Sequence, residues 1–85
     1  MQTSDLKEKL KTIIIEVTHS GDSVEDIEDS DFLIDDLGVD SLGIMTLVEI
    51  IEKVFDIEIP LSEVVVDNFK TVEHLSRYVG EKLAS

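Results

Sequence analysis

The sequence LGVDSLGIMTLVEIIEKVF occupies residues 37–55 and predicts the central helix of the fold. Its apolar residues recur every three or four positions, which is the spacing of one helix face. Asp40 is a suitable N-cap, so we expect the helix to run from about Ser41 to Phe55, after a turn at Gly38. Further apolar residues widen this face beyond a single stripe. A helix of this kind is either buried or docked on another surface.

On the N-terminal side the sequence predicts one more helix. Thr3, Ser4 and Asp5 can cap its start, and Gly21 lies just past its end at about Thr18. The apolar stripe consists of Leu6, Leu10, Ile13, Ile14 and Val17.

The segment between these two helices, residues 21–40, predicts a long loop. It is acidic and has no helical periodicity, and so long a connection in a small domain usually has a function. We expect four apolar residues to pin it to the core: Val24, Ile27, Phe32 and Leu37.

After the central helix, Pro60 ends helical structure and biases Ile59 to an extended conformation. We expect a short helix within residues 62–67, although Val64, Val65 and Val66 have strand propensity. Thr71 caps a last helix, whose apolar residues are Val72, Leu75, Tyr78, Val79 and Leu83. The predicted fold class is therefore all-α, with three main helices and one short one in a single domain, residues 1–85.

The charge of the chain limits its partners. The chain has twenty acidic and seven basic residues, which gives a net charge of −13. This charge excludes nucleic acid and anionic membranes as partners and favours basic protein surfaces. There is no cysteine, no transmembrane-length apolar run and no signal-peptide pattern at the N-terminus. We expect a soluble cytoplasmic protein.

Catalysis by the chain itself is not predicted. Ser41 has no histidine close in sequence and no Gly-x-Ser-x-Gly elbow, and surface roles are expected for His19 and His74. The acids of the long loop fit no EF-hand register, because the sixth residue counted from Asp29 is Ile34 rather than glycine. We therefore predict no dedicated metal site.

Two motifs resemble the acyl carrier protein family. Residues 32–42, FLIDDLGVDSL, end in its Asp-Ser-Leu signature, and residues 55–60, FDIEIP, resemble the end of its second helix and the loop that follows. The resemblance covers nearly the whole chain. It implies a four-helix bundle with a short third helix and a long loop after the first. It also implies that Ser41 receives 4′-phosphopantetheine from coenzyme A through a phosphopantetheinyl transferase and holds acyl groups as thioesters, as a carrier and not an enzyme.

The resemblance also assigns expected roles around Ser41. Asp40 would orient the site and cap the helix. Candidate partner contacts are Leu42, Met45, Glu49, Glu52 and Asp36, although the first two could equally belong to the core. The expected partners, besides the transferase, are acyl-activating, condensing or acyl-transfer enzymes with basic docking surfaces, and we expect the carrier to be a monomer.

Several positions depart from the fatty-acid members of the family. Gly43 and Thr46 stand where acids are common, Lys53 reverses a charge, and the segment from Pro60 to Thr71 is about two residues longer. These differences predict a specialised carrier with a more apolar docking face. A carrier of polyketide or aminoacyl units, and an unmodified adaptor subunit, remain as alternatives.

Overall fold

The computed structural model describes residues 3–84 and shows an all-helical fold. Four α-helices follow one another: α1 (Thr3–Thr18), α2 (Ser41–Phe55), α3 (Val66–Phe69) and α4 (Val72–Ala84). Two 3₁₀ turns, Val24–Asp26 and Leu61–Glu63, lie in the connections. No β-strand forms within the described range, where Phe32 and Thr71 make one isolated bridge. The predicted helical bundle with a short third helix is thereby confirmed.

The core lies where α1 packs against both α2 and α4, while the short α3 packs against α4. Each long helix contributes one apolar face, as its periodicity predicts. The fully buried larger side chains are Leu10, Ile14, Leu33, Leu47, Ile51, Leu75, Val39, Val72 and Val79.

Helix α2 has the boundaries that the sequence predicts. It begins at Ser41 and ends at Phe55, and Asp56 follows in a left-handed conformation with φ 54°. The N–H groups of Asp56 and Ile57 both donate to the carbonyl of Glu52, which closes the C-terminus.

The start and end of α1 differ in detail from the prediction. The helix begins at Thr3, so Ser4 and Asp5 lie in its first turn and do not precede it. Past Thr18 the left-handed position is taken by His19, at φ 53°, two residues before Gly21.

The long loop is anchored by a different set of residues than predicted. Ile27, Leu33 and Val39 are buried, whereas Phe32 is 39% exposed, so the expectation that Phe32 pins the loop is wrong. Phe32 opens a turn, since its carbonyl accepts the N–H groups of Asp36 and Leu37, and within this turn Leu33 is buried while Phe32 faces outward. Leu37 is half-buried and packs against the core as expected, whereas Val24 is half-buried without belonging to the residues that pack on the core.

Hydrogen bonds fasten this loop to the start of α4. The N–H of Leu33 donates to the carbonyl of Lys70 over 3.1 Å, and the N–H of Glu73 donates to the carbonyl of Asp29 over 2.9 Å. Asp29 also accepts from two lysines of α1, with Lys7 Nζ at 3.0 Å and Lys11 Nζ at 2.9 Å. Lys7 reaches Glu73 as well, at 2.7 Å. One acid of the loop therefore joins α1 to α4.

The segment before α4 contains two short helical pieces where one was predicted. A 3₁₀ turn ends at Glu63, Val65 is extended, and α3 starts only at Val66. Val65, the middle residue of the valine run, keeps the extended conformation that valine favours. The α-helix therefore starts only after it and ends at Phe69, later in the chain than predicted. Thr71 caps α4 as predicted, because its hydroxyl accepts from the N–H of His74 over 3.1 Å.

Candidate functional site

Ser41 is the first residue of α2 and its side chain is exposed. Among residues 3–84 its hydroxyl has no hydrogen-bond partner. The first N–H groups of a helix have no acceptor inside it, and they give this end a partial positive charge. The hydroxyl is therefore open to an approaching enzyme and sits where a phosphate group is electrostatically favoured.

Asp40 caps the helix at this point. Its backbone is extended, and its Oδ1 accepts a hydrogen bond from the N–H of Gly43 over 2.7 Å. The first turn of α2 contains no acidic residue. The cap fixes where the helix begins, and hence the direction in which Ser41 projects.

A tight turn precedes the cap. The carboxylate of Asp36 accepts from the N–H of Phe32 over 2.8 Å, and Gly38 adopts φ 75°, a conformation that favours glycine. The buried Val39 donates its N–H to the carbonyl of Leu33 over 2.8 Å. The turn is thus fixed on both sides, and it holds the start of α2 against the core.

Gly43 allows close packing behind the site. A Cβ at this position would lie 3.1 Å from Val39 Cγ1, 3.2 Å from Asp40 Oδ1 and 3.6 Å from Val17 Cγ1. The departure from the acidic residue common in the family is therefore accompanied by a close approach of the turn and of α1.

The predicted partner contacts on α2 lie in different environments. Leu42 is 78% exposed and Met45 is also exposed, so the alternative that they belong to the core is wrong. Glu49 is exposed as well. Glu52 is half-buried, and its Oε2 accepts from the N–H of Ile59 over 2.8 Å, so this carboxylate braces the segment after α2.

Beside the site lies an apolar groove that the sequence did not reveal. Its volume is about 360 Å³, and it is lined by Phe32, Ile34, Asp35, Ile44, Val64, Val65, Val66, Phe69 and Lys70. The only sequence feature that relates to this groove is the run Val64–Val66, whose residues favour a strand although no strand partner is predicted. Because these residues come from three segments, no local periodicity connects them.

His74 makes a local contact at the start of the last helix. The ring Nδ1 of His74 lies 2.6 Å from the hydroxyl of Thr71, within its own helix turn. No cluster of histidine, cysteine or carboxylate side chains able to hold a metal ion occurs within the part of the chain that the structure describes. In the same range no helix has the length and apolar character needed to cross a bilayer.

The residues at the start of α2 fit a covalently attached phosphopantetheine. Such an arm needs an exposed hydroxyl, a site tolerant of negative charge and space for a second enzyme, and Ser41 offers the first two directly. The chain has no cysteine, so any thiol must come from the attached group.

Comparison with known proteins agrees with this geometry. Residues 8–79 match the family model described as the phosphopantetheine attachment site. The chain is 37% identical over 81 residues to the acyl carrier protein of Caulobacter vibrioides, covering 95% of this chain and 99% of that protein. It is 36% identical to that of Zymomonas mobilis, with the same coverage, and 35% identical over 82 residues to that of Phenylobacterium zucineum, with 96% and 99% coverage. The chain therefore belongs to the acyl carrier protein family.

Proposed function

We propose that Ser41 carries the 4′-phosphopantetheine arm and that residues 1–85 form one carrier domain, which delivers acyl groups to fatty-acid or related biosynthetic enzymes. The observation that carries this proposal is the exposed hydroxyl of Ser41 at the N-terminus of α2, inside the segment that matches the family. Acyl carrier proteins have no catalytic activity of their own, so the role is that of a tethered substrate carrier.

The protein's own part in this function is to hold and present the arm. Ser41 supplies the oxygen of the phosphodiester, and the helix dipole stabilises its negative charge. Asp40 keeps Ser41 at the helix start through its bond to Gly43. When bound, the arm supplies a thiol that holds an acyl group as a thioester. Tethering raises the effective substrate concentration at each enzyme to roughly millimolar.

The charge of the chain favours partners with basic docking surfaces. A net charge of −13 steers such enzymes toward the carrier and lets encounters form and break quickly. Asp36 and Glu49 are exposed and available for these contacts, while Leu42 and Met45 offer apolar ones. Glu52 keeps one carboxylate oxygen, Oε1, outside its bond to Ile59.

Intact mass after co-expression with a broad-specificity phosphopantetheinyl transferase tests the attachment. The wild-type chain gains the mass of one arm, and Ser41→Ala gains nothing. Ser62→Ala is the matched control, because Ser62 is also exposed and lies outside the signature. The proposal is wrong if Ser41→Ala gains the mass of an arm, or if the wild-type chain does not.

The cargo needs a second experiment. Loading the modified carrier with fatty-acyl, polyketide-extender or aminoacyl groups by their respective activating enzymes separates the fatty-acid role from the other carrier roles. Full activity of Ser41→Ala in its native complex would instead identify an unmodified adaptor.

A further inference from the structure

Asp36 is one of the expected partner contacts, yet its carboxylate is also used inside the protein. Its Oδ2 accepts the N–H of Phe32 over 2.8 Å, and the carbonyl of Phe32 accepts the N–H of Asp36 over 3.0 Å. Within residues 3–84 the N–H of Phe32 has no other acceptor. These two reciprocal bonds close the turn that leads to Ser41.

Leu33 anchors this turn to the core. Its side chain is fully buried, and its N–H donates to the carbonyl of Lys70 over 3.1 Å. Its carbonyl accepts the N–H of Val39 over 2.8 Å. Because only one residue separates Val39 from Ser41, the backbone is held two positions before the residue that bears the hydroxyl.

Neighbouring acids distinguish a carboxylate that supports the backbone from one that does not. Two other carboxylates of the loop also accept backbone N–H groups, that of Asp26 over 3.0 Å and that of Asp31 over 2.9 Å. Asp35 is exposed and forms no hydrogen bond or ion pair through its side chain in the described part of the chain. Asp35 and Asp36 therefore carry the same charge at adjacent positions, and of the two only Asp36 supports the backbone.

Transfer of the arm demands a well-placed hydroxyl. The Ser41 oxygen forms a bond to the phosphorus next to pantetheine, and the pyrophosphate bond of coenzyme A breaks. 3′,5′-Adenosine diphosphate leaves with the bonding electrons, and the serine proton passes to a base of the transferase. Misplacing reacting atoms by about 1 Å can slow such a step by on the order of 100-fold.

We propose that Asp36 is a positioning residue for the modification of Ser41: by closing the turn at Phe32, its carboxylate holds the hydroxyl where a transferase can react with it. The inference rests on the attachment of the arm at Ser41. The role requires an oxygen that accepts the N–H of Phe32 and does not require the negative charge. It therefore differs from docking on a basic enzyme surface, for which the charge itself matters.

Two substitutions at Asp36 separate the acceptor from the charge. Asp36→Asn removes the charge but keeps an oxygen that can accept the N–H of Phe32, whereas Asp36→Ala removes both. The matched controls are Asp35→Asn and Asp35→Ala, which remove the same charge one position away, from a carboxylate without a bond. Steady-state kinetics with a broad-specificity transferase and coenzyme A, read by intact mass, compare all four variants with wild type.

The expected result is a loss of kcat that depends on the acceptor. We expect kcat to fall about fivefold in Asp36→Ala and to stay close to the wild-type value in Asp36→Asn, because losing one hydrogen bond loosens the turn in the bound carrier. The KM should change to a similar extent in all four variants, since each loses one charge. Amide hydrogen exchange, measured by NMR without any enzyme, should become faster at Phe32 in Asp36→Ala only.

Other results would overturn the inference. Equal losses of kcat in Asp36→Asn and Asp36→Ala would assign the effect to the charge, and hence to docking. A wild-type kcat in Asp36→Ala, or unchanged amide exchange at Phe32, would show that the turn does not depend on this carboxylate. A loss that appears only in KM would make the turn part of the docking surface. In each of these cases the mass gain persists and the attachment at Ser41 stands, whereas a wild-type chain without any mass gain contradicts the attachment itself.

Discussion

The hydroxyl of Tyr78 donates a hydrogen bond to Glu63, and this bond joins the last helix to the 3₁₀ turn after α2. Lys82 completes the arrangement, with its Nζ 2.7 Å from Glu63 and 5.7 Å from the centre of the tyrosine ring. The segment that contributes Val64 and Val65 to the groove beside Ser41 is therefore attached to α4 at Glu63.

Titration of Tyr78 should report on this attachment. Burial and, secondarily, the bond to Glu63 raise the pKa of the phenol well above its ordinary value of 10. The chain has one tyrosine and no tryptophan, so phenolate absorbance reads this residue alone. We expect phenolate to form together with the loss of helical circular dichroism in strong alkali. In Glu63→Gln the pKa should fall part of the way toward 10, because burial remains. Ionisation near pH 10 in folded wild type would contradict the attachment.

The pH dependence of stability should reveal the role of Asp29. Hydrogen bonds from Lys11 and then Lys7 hold the pKa of Asp29 below its ordinary 3.8. The folded state therefore keeps this carboxylate charged to lower pH than the unfolded chain does. The stabilisation is complete above the unfolded pKa and is lost as the pH falls through the folded one.

Urea unfolding of Asp29→Asn at several pH values checks this expectation. The variant should be less stable than wild type near neutral pH, and the difference should vanish in acid, once the pH lies below the lowered pKa of Asp29 in the folded state. Asp22→Asn is the control, because it removes the same charge from an exposed position. A difference for Asp29→Asn that does not depend on pH would rule out the ion pairs as its source.

Two glycines should respond oppositely to alanine. Gly80 lies inside α4, and an added Cβ would be 3.6 Å from Leu6 Cδ2, an ordinary contact, so Gly80→Ala should stabilise the fold by about 0.5–1 kcal/mol. Gly38 has open space around it but φ 75°, so Gly38→Ala should cost about 1–2 kcal/mol through the backbone alone. Thermal unfolding measures both, and two shifts of the same sign would be inconsistent with these conformations.

The cap of α2 is a third stability test. Asp40→Ala removes the acceptor for the N–H of Gly43 and should cost about 1 kcal/mol, whereas Asp40→Asn keeps an oxygen there and should cost less. Chemical denaturation gives both values. If the two variants are equally destabilised, the negative charge and not the hydrogen bond is responsible.

Salt should stabilise the protein as a whole. Salt screens the ion pairs of Asp29, but it also screens the repulsion among 20 acids that only 7 bases oppose. We expect the second effect to dominate, so the melting temperature should rise with sodium chloride, and further with divalent cations. A flat response would show that self-repulsion is not an important cost.

The sequence predicts the helices well because each has a local signal. Periodicity and an N-cap place α2 from Ser41 to Phe55, and a threonine cap places α4 after Thr71. The exposure of Leu42 could not be settled in this way, since a wide apolar helix face does not show which side meets the core.

Nonlocal contacts account for what the sequence did not predict. Phe32 is exposed while its neighbour Leu33 is buried, and the N–H of Leu33 donates to the carbonyl of Lys70, a contact far along the chain. The groove beside Ser41 requires the loop, α2 and the valine segment together. A short motif marks the serine in the sequence, whereas a surface assembled from three segments has no motif.

The close approach at Gly43 has a consequence for engineering this carrier. Grafting α2 from a fatty-acid carrier would bring a larger residue to a position where the first side-chain carbon meets Val39 at 3.1 Å and Asp40 at 3.2 Å. The side chains of Val39 and Asp40 would have to shift by a few tenths of an ångström, whereas the 3.6 Å approach to Val17 would be an ordinary contact. A chimera that exchanges the turn together with α2 avoids this crowding, and α1 can stay as it is.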